Sequence, residues 1–209
     1  MARPLDPGLA GLRPYRDADW DAIYDICLRT GDDGVDASDQ YQDPTLLGDV
    51  YAGPYLFLEP DLAFVLDPAG AGPVGYVLGT SDTRRFVAEY GARWVPVRSR
   101  SQPPAQPATP DDELLVTYHR PERMLGPAAD LYPAHLHIDI LPAYQGHGGG
   151  RRLVEAFCAA AARAGAPGVH VGVSPTNTKA HGFYERVGFR RLAVDEGSAT
   201  LFFGRPTTL

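Results

Sequence analysis

Leu136-His137-Ile138-Asp139-Ile140-Leu141-Pro142-Ala143-Tyr144-Gln145-Gly146-His147-Gly148-Gly149-Gly150-Arg151-Arg152-Leu153 is the stretch on which the fold turns. Its first part reads as a strand, His135 to Leu141, ended by Pro142. A glycine-rich turn, Gly146 to Gly150, follows. Leu153, Val154, Phe157, Cys158 and Ala161 then repeat at helical spacing until Gly165 stops the helix. A strand running into a glycine turn that opens a helix bares several backbone N–H groups pointing one way. With the helix dipole they make an anion site best suited to a phosphate or pyrophosphate. The glycines are expected there because a Cβ would hold the anion off the backbone.

Two common nucleotide patterns are excluded. A P-loop needs Gly-Lys-Ser/Thr, which is absent. A dinucleotide fingerprint begun at Gly146 would place Arg151 where its last glycine belongs, and it lacks the acidic residue closing a second strand. The pattern Q/R-x-x-G-x-G/A fits Gln145, Gly148 and Gly150. The plain alternative is a helix start that only needs a tight turn.

Downstream, Val169 to Val173 reads as a strand. Asn177 caps a helix whose stripe is Ala180, Phe183, Tyr184 and Val187, with Gly188 as its stop. Phe189 to Val194 and Thr200 to Phe203 read as two closing strands. Upstream, Leu12 to Tyr15 reads as a strand, and Asp17 or Asp19 caps a helix with Trp20, Ile23, Tyr24 and Cys27 on one face. That helix stops near Gly31, and an acidic loop with Asp32, Asp33, Asp36 and Asp39 follows. Leu46, Leu47, Val50 and Tyr51 mark a second short helix. Leu62 to Leu66 and Val74 to Leu78 form a hairpin, residues 84–94 are helical, and residues 99–112 are a solvated Pro-rich loop. The order indicates a mixed α/β domain around one sheet, a single domain over residues 1–209.

The chain has 209 residues, with 19 basic against 26 acidic side chains and a net charge of −7. A nonspecific nucleic-acid binder needs a basic face, so no nucleic-acid partner is expected. No run approaches the roughly 20 apolar residues that span a bilayer, so no membrane partner is expected. Met1 to Gly11 lacks the charged-then-apolar pattern of a signal peptide. Two cysteines, Cys27 and Cys158, are too few for a disulfide scaffold and read as helix packing. These features point to a soluble cytoplasmic protein with reduced thiols.

The segment Asn177-Thr178-Lys179-Ala180-His181-Gly182-Phe183-Tyr184-Glu185-Arg186-Val187-Gly188-Phe189 fits N-x-x-A-x-x-F-Y-E-x-x-G-F. Together with Gln145, Gly148 and Gly150, and with Leu12 to Asp17 ahead of a helix, it resembles the GCN5-related N-acetyltransferases (GNAT). The resemblance is weakest over residues 84–130. It implies a single GNAT-type α/β (α+β) domain. Its mixed, mostly antiparallel sheet would have about six to seven strands, a splayed central strand and helices on both faces. It implies acetyl-CoA as co-substrate and a small-molecule or peptide amine as acceptor. The diphosphate would lie on Gly146, His147, Gly148, Gly149, Gly150 and Arg151, introduced by Gln145. The pantetheine arm would pair with the edge around Ile138, Ile140 and Leu141, and touch Asn177 and Ala180. Tyr184 would contact the cofactor and protonate the departing thiolate. A narrower resemblance, carried by Leu136 to Ile140 and the later helix, is to the acetyltransferase-like C-terminal domains of eukaryotic O-GlcNAcases. Those domains have lost the glycine turn that this chain keeps.

Several roles stay open. Tyr184 lies on an apolar stripe, where an aromatic is ordinarily core. Asn177 has a sufficient role as a cap. His135, His137 and Asp139 share one strand face by period-two geometry. Asp139 is the favoured base, which requires burial to raise its pKa; His137 has the better unperturbed pKa. Asp139 could instead orient the acceptor or tie down the strand. The His-x-His-x-Asp spacing also fits a metal-dependent hydrolase, although Ile140 stands where that pattern continues with His, and no metal is expected. The expected activity is acetyl-CoA-dependent N-acetylation of a primary amine by a monomer or homodimer. The alternative is a non-catalytic acetyl-CoA-binding sensor or interaction domain.

Overall fold

The computed structural model describes residues 11–194 and 199–208. Met1–Ala10, over most of the stretch that lacks a leader pattern, lie outside the described residues. β1 (Leu12–Pro14) leads through a short 3-10 turn into α1 (Trp20–Arg29), then α2 (Leu46–Tyr51) and α3 (Gly53–Leu58). β2 (Phe64–Leu66) and β3 (Gly75–Thr80) form the expected antiparallel hairpin. α4 (Thr83–Glu89), a wide π turn over Tyr90–Trp94 and α5 (Val95–Arg98) follow, then α6 (Pro110–Tyr118) and α7 (Pro127–Leu131). The last third is β4 (Ala134–Ile140), α8 (Gly149–Arg163), β5 (Gly168–Val173), α9 (Thr178–Arg186), β6 (Arg190–Arg191) and β7 (Leu201–Pro206).

These strands make one seven-stranded sheet in the order β1-β2-β3-β4-β5-β7-β6. All neighbours are antiparallel except β4 and β5. That parallel pair meets only at Ala134↔Val169 and His135↔His170, whereas β3 pairs with β4 from His135 to Ile140. The two central strands therefore part after His135.

The two faces of the sheet carry separate cores. Ile23, Cys27, Leu47, Tyr55, Phe86 and Trp94 pack with Tyr76 and Leu78 under α1–α5. Leu153, Val154 and Phe157 of α8 pack with Val77, Leu136 and Val169, and Tyr184 joins them from α9. Strand alternation sends neighbouring β3 residues to opposite cores.

Local differences from the expectations have local causes. Neither Asp17 nor Asp19 caps α1 with its side chain. The Asp19 carboxylate instead accepts from the Arg16 backbone and, at 2.7 Å on each oxygen, from Arg13. Arg13 also donates to Asp67 at 2.8 Å, so the pair stitches β1 to the end of β2. Residues 110–112 leave the expected loop and start α6, because Thr109 and Asp112 close a capping box around Pro110. The segment 84–94 is helical but widens at Tyr90–Trp94, where the buried Trp94 indole donates to the Asp49 carbonyl at 2.9 Å. The expected strand from Phe189 to Val194 shortens to Arg190–Arg191.

Candidate active site

The parted strands make the first element of the site. The Leu141 N–H donates to the Val74 carbonyl at 2.9 Å. Leu141, Asp139 and His137 therefore direct their main-chain groups to the β3 side, and Ile140 and Ile138 direct theirs toward the gap. The Gln145 side chain caps the Ile140 carbonyl at 2.8 Å. What remains toward the gap is the Ile138 peptide and the Ile140 N–H, a strand edge open to an extended ligand. Among the residues expected to hold a pantetheine arm, Leu141 is thus committed to the neighbouring strand.

The glycine turn closes the end of this edge. Gly146 and Gly148 both have φ +81° with open space around them, so positive φ explains their glycine identity directly. Gly149 and Gly150 are glycine for a different reason. A Cβ would come 2.6 Å from Leu66 at the first and 2.9 Å from the Phe183 ring at the second. The turn lets α8 settle onto β2 and α9. The first intrahelical bond of α8 runs from Arg152 N–H to the Gly148 carbonyl. The N–H groups of Gly149, Gly150 and Arg151 therefore have no intrahelical acceptor, and Gly146 to Gly148 are exposed. Arg151 turns its guanidinium to the Arg186 carbonyl at 2.8 Å and caps the end of α9.

Asn177 caps α9, accepting from the Ala180 N–H at 3.0 Å. Its amide nitrogen reaches Asp33 at 3.4 Å, and Thr176 donates to the same carboxylate at 3.2 Å. The acidic loop thus touches the β5–α9 turn. Asp36 is spent on Ser38 within the loop.

Tyr184 has a buried ring packed against Phe183, Phe189 and Phe203. Among the described residues its hydroxyl has no hydrogen-bond partner. No buried side-chain oxygen among them lacks one, so this hydroxyl reaches an open surface. Burial, and then the Asp139 charge, push the phenol above its ordinary value.

Asp139 is half-buried on the other face of β4. Burial raises its carboxyl from 3.8 to about 6, and a 2.6 Å hydrogen bond from the Tyr76 hydroxyl holds that rise back. Tyr76 stands opposite Asp139 in the β3–β4 register. The sequence pattern does not single it out, because nothing local tells which β3 residue faces Asp139. Cys27 is buried beside Tyr76, and burial pushes its thiol up to about 12, an inert packing group.

His135 and His137 do not converge with Asp139 as ligands. Both His135 ring nitrogens are taken, by Thr83 at 2.8 Å and Tyr55 at 2.7 Å. Among the described residues no group of three His, Cys, Asp or Glu could hold a metal ion. A cleft of about 730 Å³ lined by Glu59, Asp82, Arg85 and Arg163 opens beside Pro133, at the other end of β4, and contains none of these residues.

The family model of the acetyltransferase (GNAT) family matches residues 115–189. Protein O-GlcNAcase of Rattus norvegicus is 28% identical over 191 residues, covering 89% of this chain; the chain spans about a fifth of that relative, 20% of its length. The O-GlcNAcase of Mus musculus matches to the same extent. The solved structure of SsHAT is 47% identical, covers 95% of this chain and 98% of its own, and superposes with a TM-score of 0.91. The Salmonella typhimurium protein yncA, solved with its cofactor acetyl-CoA, shares the fold at 16% identity and a TM-score of 0.53, over 94% of this chain and 92% of its own.

Proposed function

The chain belongs to the GNAT acetyltransferase family, and on that premise we propose that it transfers an acetyl group from acetyl-CoA directly to a primary amine. One observation carries the reading: the central strands part after His135, and the bared β4 edge ends where the N–H groups of Gly149, Gly150 and Arg151 have no intrahelical acceptor. A thioester with an extended amide-bearing arm and a diphosphate matches both features, strand edge to arm and helix start to diphosphate.

When bound, acetyl-CoA supplies an activated acyl group. The N–H groups of Gly149, Gly150 and Arg151 hold the diphosphate. The Ile138 peptide and Ile140 N–H align the arm along β4, and the cap of α9 by Asn177 keeps the β5–α9 turn, with Ala180, alongside. Asp139 draws a proton from the acceptor amine, directly or through water. A carboxyl at about 6 is ionised at neutral pH and is a stronger base than an ordinary aspartate. The Tyr184 hydroxyl gives its proton to the departing thiolate and regains one from solvent. The acidic loop at the β5–α9 turn favours a cationic acceptor. The free, buried thiols of Cys27 and Cys158 suit a reducing, cytoplasmic setting.

Release of free CoA thiol from acetyl-CoA against a panel of amines tests the proposal. Amine-dependent release supports it. Tight acetyl-CoA binding with no release for any amine would replace it with a non-catalytic acetyl-CoA-binding domain.

A further inference from the structure

Next to Asp139 on the same face of β4 lies a chain of hydrogen bonds whose direction can be worked out from one end. The Thr83 hydroxyl donates to the Pro133 carbonyl at 2.7 Å, because a carbonyl only accepts. Its single proton is then spent, so it accepts from His135 Nδ1 at 2.8 Å. Burial keeps His135 uncharged, which leaves its Nε2 bare. The Tyr55 hydroxyl therefore donates to His135 Nε2 at 2.7 Å; the Met124 sulfur at 3.7 Å is the weaker acceptor. With that proton committed, Tyr55 accepts from His137 Nε2–H at 3.0 Å. An uncharged His137 then has a bare Nδ1. Among the described residues Nδ1 has no hydrogen-bond partner, while every buried side-chain nitrogen has one, so it is open to solvent.

The chain ends on a carbonyl and cannot export a proton. Its consequence is a fixed tautomer. The groups around His137 hold it uncharged: Tyr51 of α2 at 5.7 Å between ring centres, Tyr55 of α3 at 5.1 Å and His135 at 6.1 Å. Arg123 stacks over Tyr51 at 5.5 Å. Burial first, then the Arg123 charge and His170, hold the His137 imidazolium down at about 4. Asp139, two residues along, is the nearby carboxylate on this face.

We propose that His137 is the acceptor-binding residue beside Asp139, its bare Nδ1 accepting an N–H of the incoming amine while Asp139 meets the charge and takes the proton. The inference rests on the transferase reading and narrows its substrate to amines that present at least two N–H donors. His135, Tyr55 and Thr83 are positioning residues that keep the Nδ1 lone pair available. The bare Nδ1 itself offers no donor to an acceptor-only group such as a carboxylate.

Nitrogen NMR of the full chain with labelled histidine tests it, using spermidine, glucosamine and a lysine-bearing peptide as probe amines. The expected spectrum shows His137 protonated on Nε2 and bare on Nδ1, uncharged down to about pH 5. Tyr55→Phe mixes the two tautomers. With acetyl-CoA bound, at least one probe amine shifts the Nδ1 resonance, and its N-acetylated form does not. His137→Phe raises KM for that amine by about 10- to 100-fold, the loss of one hydrogen bond to a charged group, with a smaller change in kcat. A His137 protonated on Nδ1, or an Nδ1 resonance that no probe moves while calorimetry shows acetyl-CoA bound, overturns this assignment alone. Failure of acetyl-CoA to bind brings down the transferase reading together with it.

Discussion

Replacing Asp139 with Asn should stabilise the fold while removing the base. The carboxyl rises from 3.8 to about 6 on folding. The native state therefore holds a proton over that interval that the unfolded chain has already lost. The stabilising contribution of the protonated form is complete below 3.8 and is lost as pH rises through about 6. At about 1.4 kcal/mol per unit, the ionised carboxylate costs up to roughly 3 kcal/mol at pH 8. Partial exposure of Asp139 screens this to about 1–2 kcal/mol. An amide keeps an oxygen for the Tyr76 hydroxyl and carries no charge. Asp139→Asn should therefore melt roughly 2–8 °C above the wild type at about pH 8. The gain should shrink to a few tenths of a kcal/mol at about pH 4, where the native wild type is already protonated. Thermal unfolding followed by circular dichroism at the two pH values reads this directly. A gain of equal size at both, or a loss at pH 8, would refute the buried-charge argument.

Three other substitutions probe separate parts. Gly148→Glu sets a side chain and a like charge at the start of α8, where space is open but φ is +81°. It should cost about 1–2 kcal/mol of stability and abolish the thermal shift given by acetyl-CoA; a retained shift would move the diphosphate elsewhere. Tyr184→Phe should leave acetyl-CoA affinity unchanged and lower kcat by about 10²-fold, as for loss of a general acid. Unchanged turnover would return Tyr184 to the core. Asp49 is fully buried, accepting from the Tyr24 hydroxyl at 2.6 Å and from Arg98 at 2.8 Å, with Arg100 paired to the same carboxylate. Asp49→Ala should destabilise by about 3–5 kcal/mol in urea titration, because partners lose a buried counter-charge; a change below about 1 kcal/mol would show those arginines relax freely into solvent.

The elements that could be read from sequence are those whose signal is local. Gly148 and Gly150 before the Leu153–Ala161 stripe, and Asn177 before the Ala180–Val187 stripe, each carry their own start and stop. The hairpin around Pro68–Pro73 does too. What sequence hid is what depends on distant pairing. The bond from Tyr76 to Asp139 follows from a β3–β4 register linking residues 63 apart in sequence. Tyr55 joins the histidines of β4 from a short helix of mixed composition, Gly53–Leu58, which has no periodic stripe to announce it. The same limit explains the glycines. Chemistry alone assigned all of Gly146 to Gly150 to the anion, whereas Gly149 and Gly150 are also needed by Leu66 and Phe183, neighbours visible only once the layers are assembled.

Calorimetric titration of the folded wild type with acetyl-CoA bears most directly on the parted strands as a cofactor groove. One molecule bound per chain, with measurable heat, is the expected result. A native, cooperatively melting protein that gives no heat with acetyl-CoA would contradict the account at its root.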